Sequence, residues 1–258
     1  MEAHLCNPLA AFDTWRSVRE KSFVQRFVSA AKYLTIWGRF IATPPSSGTV
    51  GAALVCAPLI GFALGLVVAF SNYALAAYLP TEILSITLIM VLILLTGGLH
   101  LEDLYLTFAA KEPPIGSGDY REDGALGAIA LVMVLLFKAA ALDSIDQKVA
   151  VSLVLAPVLA RWTSLVFVFG CQERCEETAQ LVAQQLKLWH LLLATAATLT
   201  LASYWLGRRG LWIALALSVS SLLIRNLFYR ARGIITSHHF GAMIELAETL
   251  SLILLASI

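Results

Sequence analysis

The sequence predicts an all-α fold: a polytopic helical membrane protein of about seven spans, preceded by an amphipathic helix in the membrane interface. Three observations support this. Hydrophobic residues make up 59% of the 258 residues and charged residues 14%, against about 25% charged in a typical soluble domain. The mean hydropathy is +0.80. Several apolar runs approach the roughly 20 residues that cross a bilayer as a helix. Residues 50–258 are expected to form one transmembrane helical domain, and residues 1–49 a cytoplasmic and interfacial segment. The net charge of +1 is uninformative about nucleic acid, there is no basic tract, and no nucleic-acid partner is expected.

Residues 22–41 read as the interfacial helix. Phe23, Phe27, Ala30, Ala31, Leu34 and Trp37 recur at helical spacing, while Lys21, Arg26 and Lys32 fall mostly elsewhere. A helix packed on the bundle fits that pattern equally well. Thr43-Pro44-Pro45-Ser46-Ser47-Gly48 breaks it. The N-terminus shows no signal-peptide apolar region, so no cleavage is expected.

Span one runs from about Val50 to Tyr78, with Pro58 expected to kink it and Gly61 and Gly65 spaced for close helix contact. Leu79-Pro80-Thr81-Glu82 turns into span two, Ile83 to Gly98. Pro113-Pro114, Gly116 and Gly118 mark the middle of residues 105–123 as loop. Span three is Gly124 to Leu142 and span four Val149 to Gly170, with Pro157 inside it. A polar connector, 171–187, leads to span five, Leu188 to Leu206. Gly207-Arg208-Arg209-Gly210 turns into span six, Leu211 to about Phe228. Arg225 to His239 reads as a basic, histidine-bearing loop before span seven, which begins at Phe240. The four cysteines form no evident disulfide framework. Cys171 and Cys175 have no second Cys or His pair after them, which argues against zinc.

Loop charge gives the orientation. With alternate loops on alternate sides, 13 of the 18 Lys and Arg fall on the side of the N-terminus and three (Lys148, Arg208 and Arg209) on the other. Positive charge favours the cytoplasm, so the N-terminus is expected there, in the cell inner membrane. Arg208 and Arg209 run against the trend.

The chemistry is expected around residues 97–124. That stretch holds six of the 17 acidic residues: Glu102, Asp103, Glu112, Asp119, Glu122 and Asp123. A wet loop explains such a cluster. So does a divalent-metal and phosphate site, because hard cations take carboxylate oxygens and Mg²⁺ at a phosphate needs only one or two from the protein. Charges inside spans are costly and mark function. Lys138 lies within span three, either snorkelling to the far interface or serving a site, and Arg161 lies mid-span. Glu245 and Glu248 share one helix face at a spacing of three. His100 reads as a base, a metal ligand or an interfacial cap. His238-His239 lack helical metal spacing and read as loop.

Five segments in order resemble the cobalamin synthase family. They are Ala57-Pro58-Leu59-Ile60-Gly61 with Gly65; Thr96-Gly97-Gly98-Leu99-His100-Leu101-Glu102-Asp103-Leu104; Gly124-Ala125-Leu126-Gly127 with Ala130-Leu131 and Lys138; Ala156-Pro157-Val158-Leu159-Ala160-Arg161-Trp162; and Thr236 with Gly241-Ala242, Glu245-Leu246 and Glu248. The chain departs from the family's aspartate motifs. Glu102 and Asp103 stand for an Asp-Gly pair, and Leu106 and Ala109 for two further aspartates. Tyr120 to Asp123 replace Asp-Ser-Arg-Ile, and His238 replaces the closing aspartate.

The resemblance implies a Mg²⁺-dependent phosphoryl transfer that joins α-ribazole or its 5′-phosphate to adenosylcobinamide-GDP and releases GMP. Under it, His100, Arg161 and Glu245 are the expected catalytic residues, and Glu102, Asp103 and Asp123 the expected metal ligands. The partners would be the corrinoid nucleotide, α-ribazole and membrane lipid, with room for a homo-oligomer or a complex with other membrane proteins of that pathway. The displaced aspartates keep a second reading open, a non-catalytic corrinoid-binding or scaffold protein. A small corrinoid transporter is a third, supported by Arg161 and Lys138.

Overall fold

The structure, a computed structural model, describes residues 28, 31, 34, 35, 54–109, 124–146, 148–171 and 174–258. Asp123, most of the 105–123 loop and most of the expected interfacial segment at 1–49 lie outside the described residues. Val28, Ala31 and Leu34 are helical, and Leu34 is buried against the bundle.

Nine helices are described: α1 (Ala57–Leu75), α2 (Thr81–Thr96), α3 (Leu99–Ala109), α4 (Gly124–Asp143), α5 (Val149–Val168), α6 (Glu177–Gln185), α7 (Leu188–Leu206), α8 (Arg208–Arg232) and α9 (Ser237–Ala256). Five helices are long and apolar enough to cross a membrane, and seven if each of two bent pairs counts as one span. One bent pair is α2 with α3, at 90°; the other is formed by α6 and α7, at 79°. The chain is a polytopic helical membrane protein.

The centre of the bundle is α5, buried on nearly every face from Ser152 to Val168. It packs most extensively on α1 and α9. The α1 contact is close because Gly61 and Gly65 have no side chains. A Cβ at Gly61 would lie 2.4 Å from the Pro157 carbonyl oxygen, and one at Gly65 2.6 Å from the Val154 Cα. Without a strong hydrophobic drive between helices in lipid, such backbone contact supplies the dispersion that holds them together.

Several details differ from expectation. Pro58 does not kink span one. It sits in the first turn of α1, after a short 3₁₀ turn at Leu54–Cys56, where its missing N–H has no helical partner to lose. Residues 99–109, which carry the first part of the acidic stretch, form a separate helix, α3. Gly97 and Gly98, at φ 66° and 68°, break the apolar run and turn the chain through the 90° bend. The expected loop from Arg225 to His239 is mostly helix, because α8 runs on to Arg232 and α9 starts at Ser237. Its arginines have structural work. Arg225 donates to the Phe167 and Phe169 carbonyls at 3.1 and 2.7 Å, closing the end of α5, and Arg232 donates to the Thr107 carbonyl near the end of α3. Cys171 and Cys175, despite the spacing argument, bring their sulfurs to 2.6 Å.

Candidate functional site

The start of α9 organises the site. Ile235, just before it, is held by its N–H donating to the Arg174 carbonyl (2.8 Å) and its carbonyl accepting from the Glu176 N–H (2.9 Å). Thr236 caps the helix, and the Thr236 backbone N–H donates to the His239 Nδ1 at 2.8 Å. His238 and His239 are therefore first-turn helical residues, contrary to the loop reading. A histidine in the third helical position replaces the usual Glu or Gln of this cap, which hides it from pattern reading.

One turn on, Gly241 lets α3 approach. A Cβ there would lie 1.8 Å from Asp103 Oδ2, so the carboxylate rests directly on the α9 backbone. Its other oxygen, Oδ1, is 2.8 Å from His238 Nδ1. A cavity of about 260 Å³ opens at this junction, lined by His100, Asp103, Ser164, Ser237, His238 and Gly241 among others.

Beneath it lies a buried ionic cluster from three helices. Lys138 of α4 places Nζ 2.5 Å from Glu245 Oε2 and 2.7 Å from Glu248 Oε1. Arg161 of α5 places Nη1 3.4 Å from Glu248 Oε2 and donates to the Pro157 carbonyl at 3.1 Å. None of the four is more than 6% exposed, and Arg161 is fully buried. Two cations against two carboxylates balance the charge, which burial requires. Lys138 thus does not snorkel; it bridges both glutamates.

Hydrogen bonding does not balance in the same way. Arg161 Nε and Nη2 and both ring nitrogens of His100 are buried and have no hydrogen-bond partner among the described residues. His100 is 4% exposed and feels the charges of Arg161, Glu248 and Lys138. An unsatisfied buried polar atom costs roughly 1–3 kcal/mol. Unused guanidinium donors beside an unused imidazole suit an incoming group rich in oxygen acceptors.

The structure brings His100, Arg161 and Glu245 to one region at the α3, α4, α5 and α9 junction. Asp103 lines the cavity above them. Glu102 is exposed on α3, and as the preceding helical residue it points about 100° away from Asp103. Among the described residues no three His, Cys, Asp or Glu side chains are grouped to hold a metal ion. The expected catalytic and metal sets omit Lys138, Glu248 and His238. For the first two a signal existed: a charge within an apolar span, and a carboxylate three residues from Glu245. For His238 the signal was its place at the closing aspartate of the family pattern; nothing in the sequence pointed to Asp103, which lies 135 residues away.

The chain matches the family model described as cobalamin-5-phosphate synthase over residues 26–105 and 121–256. Relatives named adenosylcobinamide-GDP ribazoletransferase are similar along most of its length. One from Geotalea daltonii is 29% identical over 225 residues, covering 81% of this chain and 87% of the relative. One from Pseudomonas syringae is 31% identical over 224 residues, covering 82% and 90%. One from Acinetobacter baumannii is 28% identical over 232 residues, covering 86% and 93%. No solved structure matches.

Proposed function

The chain belongs to the cobalamin-5-phosphate synthase family, and from that premise we propose that it is a membrane transferase joining α-ribazole, or its 5′-phosphate, to adenosylcobinamide-GDP with release of GMP. The observation that carries this reading is that two donors on Arg161 and both ring nitrogens of His100, which feels the Arg161 charge, are buried with no partner among the described residues. The attacking ribazole oxygen forms a bond to the cobinamide-linked phosphorus, and the bond from that phosphorus to the GMP oxygen breaks. Catalysis of such a step is mostly positioning and charge stabilisation. Glu248 anchors one arm of Arg161, which leaves Nε and Nη2 to donate to the equatorial phosphoryl oxygens. Lys138 neutralises the glutamates and fixes their geometry. His100 accepts the proton of the attacking hydroxyl, or orients it.

Asp103 fits a Mg²⁺ role by chemistry and place: it is a hard oxygen donor on the wall of the cavity that His100 also lines. Glu102 and Asp123 are proposed to complete that role. When bound, Mg²⁺ would supply charge neutralisation of the diphosphate. The site end of the bundle is proposed to face the cytoplasm, across the inner membrane from the turns that carry Lys148, Arg208 and Arg209.

GMP release by the purified protein in proteoliposomes, titrated with Mg²⁺, tests the reading. Activity is expected to require Mg²⁺, and Asp103→Ala to raise the Mg²⁺ concentration needed. Absence of GMP release from the wild-type protein at any Mg²⁺ would favour the corrinoid-binding, non-catalytic alternative.

A further inference from the structure

A second polar cavity lies at the opposite end of the bundle. It measures about 400 Å³ and is lined by Lys148, Ser152, Leu206, Arg208, Arg209, Leu255 and Ile258. Three cations therefore meet in one recess, contributed by the α4–α5 turn and the first turn of α8. Among the described residues, Lys148 and Arg209 reach main-chain oxygens: Lys148 Nζ is 3.5 Å from the Trp205 carbonyl, and Arg209 Nη1 donates to the main-chain oxygen of Ile258 at 2.7 Å. Arg208 has no hydrogen-bond or ion-pair partner among the described residues. Asp143 and Asp146, the acidic residues of the neighbouring turn, do not line the recess.

The walls are of two kinds. Leu206, Leu255 and Ile258 are apolar, while the cations and Ser152 provide hydrogen-bond donors. Helices whose ends meet at the edge of a membrane-spanning bundle place such a recess at headgroup depth. Lys148 also adopts a left-handed backbone conformation, φ 58°, at the N-cap of α5, the only non-glycine residue to do so among those described. These are also the three cations on the minority side of the charge distribution. Positive charge on that side weakens the orientation signal, so a local use for it is needed.

We propose that this recess binds the phosphate of an anionic phospholipid, with Arg208, Arg209 and Lys148 on the phosphate oxygens and the apolar wall along the start of the acyl chains. The site is separate from the ionic cluster of Lys138, Arg161, Glu245 and Glu248, and does not depend on what that cluster does.

The test uses the full chain in detergent, titrated with phosphatidylglycerol, phosphatidylcholine or inorganic phosphate, and read by thermal shift and native mass spectrometry. Phosphatidylglycerol is expected to bind and stabilise, with phosphatidylcholine far weaker. The combined variant Lys148→Gln, Arg208→Gln, Arg209→Gln should bind phosphatidylglycerol on the order of 100-fold more weakly, and Arg208→Gln alone about fivefold. The single variant breaks no described bond, so it reports on binding even if the triple variant folds poorly. Equal binding of phosphatidylcholine, or unchanged phosphatidylglycerol binding in Arg208→Gln, overturns the proposal. An equal shift from inorganic phosphate overturns the lipid assignment in favour of a free-anion site.

Discussion

At the residue scale, the buried ionic cluster bears on stability, and the polar atoms without a partner among the described residues bear on the proposed chemistry. Removing the ammonium in Lys138→Met leaves Glu245 buried without its Lys138 ion pair and Glu248 with Arg161 alone. Breaking a buried pair in this way costs about 3–5 kcal/mol, measurable by denaturant unfolding in detergent; a change below 1 kcal/mol would mean the ion pairs contribute little. His100→Leu should behave in the opposite way. Neither ring nitrogen has a partner among the described residues to lose, so the midpoint should stay or rise, while GMP release falls by about 10² or more. A stability loss with activity intact would make His100 a packing residue. The sequence exposed most of these residues, because a charge in an apolar run is rare enough to notice. It did not show that Lys138 reaches both glutamates, since they lie on a helix more than 100 residues away.

At the element scale, two glycines control how helices meet. At Gly61 the atom nearest an added Cβ is the Pro157 backbone oxygen at 2.4 Å, which cannot turn aside. Gly61→Ala should therefore push α1 off α5 and cost about 1–3 kcal/mol in thermal or denaturant unfolding. At Gly241 the nearest atoms are Asp103 Oδ2, Cγ and Cβ at 1.8, 2.5 and 2.7 Å; the carboxylate can turn aside, but the Cβ is fixed to the α3 backbone. Gly241→Ala should therefore push α3 off α9, cost about 1–3 kcal/mol in the same unfolding measurement, break the Asp103–His238 contact and lower activity. An unchanged melting temperature with full activity would contradict the close α3–α9 approach. The Gly61–Gly65 spacing was readable as a close contact because small residues four apart share a helix face. The α3 helix was not readable: it is 11 residues long, of mixed polarity, and follows directly on an apolar span that hides its start. The same holds for the first turn of α9, where the cap uses histidine.

At the scale of the whole molecule, the spans were legible because their apolar length is set by the bilayer, and every expected span has a helix in its place. The relative placement of the helices was not, because it depends on which faces pair, and α5 is buried on nearly every face. Orientation is the remaining global property. With the native cysteines replaced, a cysteine at the exposed Tyr78 should react with an impermeant maleimide in intact cells and one at the exposed Arg230 should not; the reverse pattern would invert the topology.

The central claim is that Arg161, held by Glu248 and buried beside His100, stabilises a phosphoryl group in flight. It is tested most directly by single-turnover GMP release from adenosylcobinamide-GDP and α-ribazole in proteoliposomes, comparing wild type with Arg161→Lys. Lysine keeps the charge against Glu248 but loses the forked donors, so release should slow about 100-fold with the protein still folded. A folded Arg161→Lys that releases GMP at the wild-type rate would contradict the account.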